Sequence, residues 1–131
     1  MAVIDYQSDD DFIRNRSSYI TWANMANGDT GQPLPLAGHA DKTLHVFGDW
    51  GVGGQLTFKG SNDPRAVSDY ENATDTASWV TLKDPYGMPY TLSADGGDLL
   101  VTNFRVIRPE VTAGDGTTDL QVVLACKIAA R

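Results

Sequence analysis

A single cysteine, Cys126, is all the thiol chemistry this 131-residue chain offers. One thiol cannot close an internal disulfide, so stability has to come from packing or assembly. Cys126 falls in phase with Leu120, Val122, Leu124 and Ile128, which reads as a small buried hydrophobe. Histidine is nearly as scarce, with only His39 and His45. At these spacings the two histidines and the cysteine match no zinc pattern, and neither histidine is placed as a base for a nucleophile. No run of about 18 apolar residues occurs, so no membrane-spanning helix is read. The start, MAVIDYQSDDD, has neither a basic segment nor an apolar one, so no signal peptide is predicted. Basic residues are outnumbered 10 to 17, for a formal net charge of −7. A chain this acidic repels phosphates, which argues against a nucleic-acid partner.

The usual catalytic signatures are missing too. There is no G-x-S-x-G elbow. GVGG (51–54) is followed by no Lys-Ser/Thr and so makes no phosphate loop. Asp29, Asp63, Asp84, Asp95, Asp98, Asp115 and Asp119 all neighbour turn-forming residues. Asp suits such places because its carboxylate accepts bonds from nearby backbone N–H groups. Calcium is the sharper reading for SNDP (61–64) and GDGTTD (114–119), but neither has the spacing of an EF-hand loop. Asn72-Ala73-Thr74 fits a glycosylation pattern only in a secreted chain. The sequence therefore predicts no catalytic residue, no metal and no cofactor, and a protein that is not an enzyme.

What is present is β signal. Apolar residues are 41 % and charged residues 21 % of the chain, as in a globular domain. Residues 1–41 show no sustained periodicity beyond the short segment Tyr19-Ile20-Thr21-Trp22, and read as an N-terminal arm and loop. Residues 42–131 read as the β domain. Leu44 and Val46 alternate with His45, then DWGVGG reads as a hairpin connection. Leu56 and Phe58 point inward, with Gln55, Thr57 and Lys59 outward. Residues 61–76 read as a long polar loop. Strands follow at 79–82 and 90–92, joined by a DPYG turn. A long strand at 99–107, apolar on both faces, is ended by Arg108-Pro109. Leu120 to Ile128 gives the cleanest alternation. Seven or eight short strands without a convincing helix predict a β-sandwich or jelly roll, with a small barrel as the competitor.

Aromatic residues carry the functional signal. Tyr19 and Trp22 are costly to leave in water, so they read as anchors of the arm, with Arg14 and Arg16 beside them. Trp50, Tyr70, Tyr86 and Tyr90 sit in or beside loops, where they suit either sugar stacking or a protein interface. The sugar-binding alternative is a carbohydrate-binding β-sandwich of a phage surface or tail structure, using Trp50, Tyr70, Tyr86 and Asp63.

Four segments then occur in collinear order: ITWANMANGDTGQPL (20–34), KTLHVFGDWGVGGQLTFKGSND (42–63), SWVTLKDPYGMPYTL (78–92) and RVIRPEVTAGDGTTDLQVVL (105–124). As a set they resemble the decoration or cement proteins of podovirus-like tailed-phage heads. The resemblance implies a jelly-roll-like antiparallel β-sandwich with an extended arm. It implies a homodimer or homotrimer on the capsid exterior that binds the major capsid protein and reinforces the shell. Neither nucleic acid nor membrane is an expected partner. Tyr19, Trp22, Arg14, Arg16, Trp50, Tyr70 and Tyr86 are the contact candidates, within the arm, the loops at 48–54 and 61–76, and the DPYG turn. The segment 64–76 is longer than such proteins usually carry.

Overall fold

A computed structural model describes residues 2–11, 17–36, 39–100, 102 and 104–128. Two sheets pack face to face as an all-β sandwich. The first sheet contains β1 (Val3–Ile4), β4 (Thr30–Gly31), β5 (Leu34–Pro35), β7 (Gln55–Ser61), β8 (Val80–Thr81), β9 (Thr91–Leu92) and β11 (Val106–Ala113). Its order is β1-β4-β11-β7-β8, with β5 also on β11 and β9 also on β7. The second contains β2 (Tyr6–Asp11), β3 (Ser17–Met25), β6 (His39–Asp49), β10 (Gly96–Leu100) and β12 (Asp119–Ile128). Its order is β10-β6-β12-β3-β2, antiparallel throughout. Among the described residues one helix occurs, α1 (Arg65–Asn72), and none is long and apolar enough to cross a membrane.

The core lies where alternation predicted it. Leu120, Val122 and Leu124 of β12 face Leu56 and Phe58 of β7, together with Leu44 and Val46 of β6. Phe58 meets the Tyr90 ring edge-on at 5.1 Å. Cys126 is buried, its thiol directed at the Ser18 carbonyl 3.7 Å away.

Several sequence expectations are corrected. Residues 17–36 do not form an arm laid over the domain. β3 is an interior strand between β12 and β2, and it supplies Ile20, Trp22 and Met25 to the core. Trp22 is wholly buried, and its indole Nε1 donates to the Gln32 carbonyl at 3.1 Å. The first residues are likewise paired. β1 lies parallel to β4, and β2 holds Tyr6 edge-on against Trp22. Asp29 anchors this end, accepting from the N–H groups of Ala2 and Ala26.

DWGVGG is not a hairpin turn. β6 pairs with β10 and β12, whereas β7 pairs with β11, β8 and β9, so the glycines carry the chain from one sheet to the other. The long strand predicted at 99–107 is two strands in different sheets, β10 and β11. Arg108-Pro109 does not end β11. Phe58, opposite Pro109, directs its N–H to Tyr90 and its carbonyl to Leu82, away from β11. Pro109 therefore has no donor to supply on that side, and its nitrogen faces the gap between β5 and β4, where no ladder partner is needed. Finally, the loop at 61–76 contains α1, whose buried residues are Ala66 and Asp69.

Candidate functional site

The predicted aromatic contacts separate into buried, tethered and displayed residues. Trp22 has no exposed surface, so its ring serves the core and not a surface contact. Tyr90 is also buried. Its hydroxyl donates to the Asp98 carbonyl at 3.0 Å, and burial followed by the nearby Asp98 charge pushes it up to about 12. Trp50 is half-buried. Its Nε1 donates to Asp95 Oδ1 at 2.7 Å, tying the β6–β7 crossover to the bend before β10. Tyr70 donates its hydroxyl to Asp5 Oδ1 at 2.6 Å and so clips α1 to the N-terminal segment. That bond to Asp5 raises the phenol above its ordinary value. Arg14 and Arg16 lie outside the described residues.

Val3, Val52 and Val80 are exposed singly, and two places display apolar side chains to solvent in groups. The first is the 84–88 turn, where Tyr86 is 86 % exposed and Met88 is also exposed. Asp84 builds this turn: its Oδ1 accepts from the Tyr86 and Met88 N–H groups, both at 2.9 Å. The Gly87 N–H donates to the Asp84 carbonyl, closing the predicted turn.

The second is the outer face of the five-stranded sheet. Register sets Leu99, Thr43, Ala125 and Tyr19 in one row across β10, β6, β12 and β3. Gly97, His45, Val123 and Thr21 form the next row, and Gln121 and Phe47 lie beyond it. Leu99 is 52 % exposed, Tyr19 43 % and Phe47 38 %. The His45 and Phe47 rings lie 5.0 Å apart on this face. Val123 and Ala125, half-exposed at the centre, continue the apolar surface between them. The β10 edge limits further strand addition, since Asp98 bends its carboxylate onto the Leu99 N–H at 2.7 Å.

Sequence reasoning named Tyr19 as an arm anchor and contact candidate, not as part of a sheet face, and missed Phe47, Val123 and Leu99 as a group. The signal was there. Phe47 is out of phase with Leu44 and Val46, and Val123 is out of phase with Val122 and Leu124.

The acidic turns are occupied by protein donors. Asp63 accepts from the Arg65 guanidinium at 2.8 Å and from the backbone N–H groups of Ser78 and Arg65. These partners, the guanidinium first, hold its carboxyl well below the usual range. Ser61 Oγ donates to the Ser78 carbonyl, and Asn62 accepts from the Arg105 N–H. Asp115 accepts from the Thr117 hydroxyl and from the N–H groups of Val52 and Thr117, which together lower its pKa. Among the described residues no group of three or more His, Cys, Asp or Glu is placed to hold a metal ion.

Asp69 is an organising residue the sequence did not single out. Its Oδ1 accepts the hydroxyls of Thr74 and Thr76, and its Oδ2 the N–H groups of Thr76 and Ala77, all at 2.6–2.8 Å. Burial alone would raise its pKa, but these four donors bring it down to about 2. Asp69 thereby folds residues 73–77 back against α1. On the same side of the molecule Arg108 lies 4.1 Å from the centre of the Trp79 ring and forms an ion pair with Glu110 at 2.8 Å. Both charged side chains are mostly buried, so this cluster fastens the covering segment to β11.

No protein-family model matches the chain, and no curated protein is significantly similar to it.

Proposed function

We propose that this chain is a structural virion protein, a capsid decoration or cement protein. It binds the outer surface of the major capsid protein lattice and stabilises the mature phage head. The observation that carries the reading is the outer face of the five-stranded sheet. It is broad, apolar at its centre and open to solvent, while the β10 edge of the sheet is blunted. A face of this kind suits docking by surface contact and not by strand addition. The resemblance of the collinear segments to those of tailed-phage decoration proteins supports the choice of partner. A jelly-roll-like connectivity and self-association as a dimer or trimer on the capsid exterior belong to the same proposal.

A cement protein works by binding one lattice state better than another, which stabilises that state by mass action. Copies that bridge neighbouring subunits gain further from geometry. The carbohydrate-binding alternative draws on Trp50, Tyr70, Tyr86 and Asp63; Trp50, Tyr70 and Asp63 already have polar atoms engaged inside the protein, which leaves Tyr86 as a lone exposed ring. The test is purification of intact heads from phage-producing cells, with this chain quantified against coat protein. A fixed ratio through successive density gradients is the expected result. Loss of the chain at the first gradient would overturn the proposal.

A further inference from the structure

The outer face of the five-stranded sheet has a charge pattern that its apolar content does not explain. At its centre are Tyr19, Thr21, Thr43, Val123 and Ala125, and among the described side chains of this face there is no lysine or arginine. The margin is acidic. Asp49 and Asp119 sit directly opposite each other across the β6–β12 ladder, both exposed. Asp95 is held beside them by the Gly48 N–H.

Like charges placed opposite each other weaken a sheet in isolation. Asp49 gains a bond from the Gly51 N–H, but among the described residues it forms no ion pair. A second copy laid on this face would add acid margin to acid margin, in a chain already at −7. A partner with a basic margin reverses every one of these terms. Its apolar centre would supply affinity, and its cations orientation and encounter rate.

We propose that this face takes a protein surface with an apolar centre ringed by lysine and arginine, and not a second copy of this chain. The inference rests on the capsid reading for the identity of that partner. The partner's charge follows from the face alone. Any self-association uses another surface.

The test uses the full chain, labelled with nitrogen-15 and titrated with a soluble peptide of alternating lysine and leucine. Amide shifts are expected at Thr21, Thr43, His45, Val123 and Ala125. The affinity should fall about tenfold between about 50 and about 300 mM NaCl, since exposed charge pairs are screened. Val123→Lys should weaken the peptide by about tenfold or more by setting like charge at the centre of the contact. Val123→Thr, uncharged and suited to a strand, should bind as the parent does. The inner-face amides of Leu44, Val122 and Leu124 report that both variants are folded. Sedimentation of the parent chain and Val123→Lys should be identical. The proposal is overturned if the shifts fall on α1 and residues 62–76 instead. It is equally overturned if Val123→Lys binds as the parent does, or if that variant dissolves an oligomer the parent forms. Chain absent from purified heads, with the peptide mapping to this face, would sink the capsid reading and keep this one. Chain on heads, with the peptide mapping elsewhere, would do the reverse.

Discussion

The ring of Pro109 fills the space that a side chain at position 31 would need. A Cβ on Gly31 would lie 2.5 Å from the Pro109 Cδ and 2.7 Å from the Trp22 indole nitrogen. Three unusual features thus depend on one another: a proline inside a strand, a glycine in the short strand beside it, and a tryptophan wholly buried beneath. Gly31→Ala forces one of them to move. Overpacking of this kind costs about 1–3 kcal/mol. Urea unfolding should show a lower midpoint at unchanged slope, and an unchanged midpoint would mean that the Pro109 ring yields without cost.

The N-terminal strands are part of the fold, so removing them should do more than trim a contact. Deletion of residues 2–11 takes away the β1–β4 pairing, the β2–β3 ladder and the Tyr6 ring against Trp22. It also exposes the edge of β3, an invitation to aggregation. The shortened chain should melt well below the full one and associate as its concentration rises. Light scattering during a thermal ramp reads both, and equal melting of the two chains would return these residues to the status of an arm.

How legible the fold was depends on where each residue's partners lie. β12 and β7 could be read because Val122, Leu124, Leu56 and Phe58 record a single buried face. The role of DWGVGG could not, because a local turn signal does not say which sheet the next strand joins. Arg108-Pro109 looked like a terminus because the sequence hides the gap between β5 and β4 that accommodates the missing N–H. Helix α1 was invisible for another reason. RAVSDYEN buries only Ala66 and Asp69, so no apolar stripe marks it. The candidate face was half legible. Tyr19 announced itself as an aromatic, whereas Phe47, Val123 and Leu99 became one surface only through cross-strand register.

Asp69 should leave a signature in the pH dependence of stability. Its folded pKa of about 2 lies below the ordinary carboxylate value, so the unfolded chain takes up the proton first as pH falls. The stability it contributes is complete above the unfolded value near pH 4 and disappears as pH falls through about 2. Asp63 and Asp115 are shifted the same way and add to the slope. In Asp69→Asn the amide oxygen can still accept from Thr76 and Ala77 while its NH₂ meets the two threonine hydroxyls, but the charge is gone. The variant should be less stable at neutral pH and lose less on acidification. Thermal midpoints from pH 7 to pH 2 should therefore converge, and two parallel curves would show that Asp69 does not titrate as its hydrogen bonds require.

The 84–88 turn separates display from stability. Tyr86 is almost fully in solvent, so Tyr86→Ala removes no packing, and substitutions at such positions usually fall within about ±0.5 kcal/mol. Asp84→Ala leaves the Tyr86 ring in place but strips its support, the two bonds to the Tyr86 and Met88 N–H groups. The tip should then become mobile on the ps–ns timescale, seen as lower backbone order parameters at residues 85–88 than in the parent. A partner that uses a preorganised Tyr86 would be weakened by both variants, because rigidity and the ring each contribute to binding. One that ignores the turn would be weakened by neither. A turn that stays ordered in Asp84→Ala would locate its rigidity in the Lys83–Pro89 bridge and the Gly87 N–H bond instead.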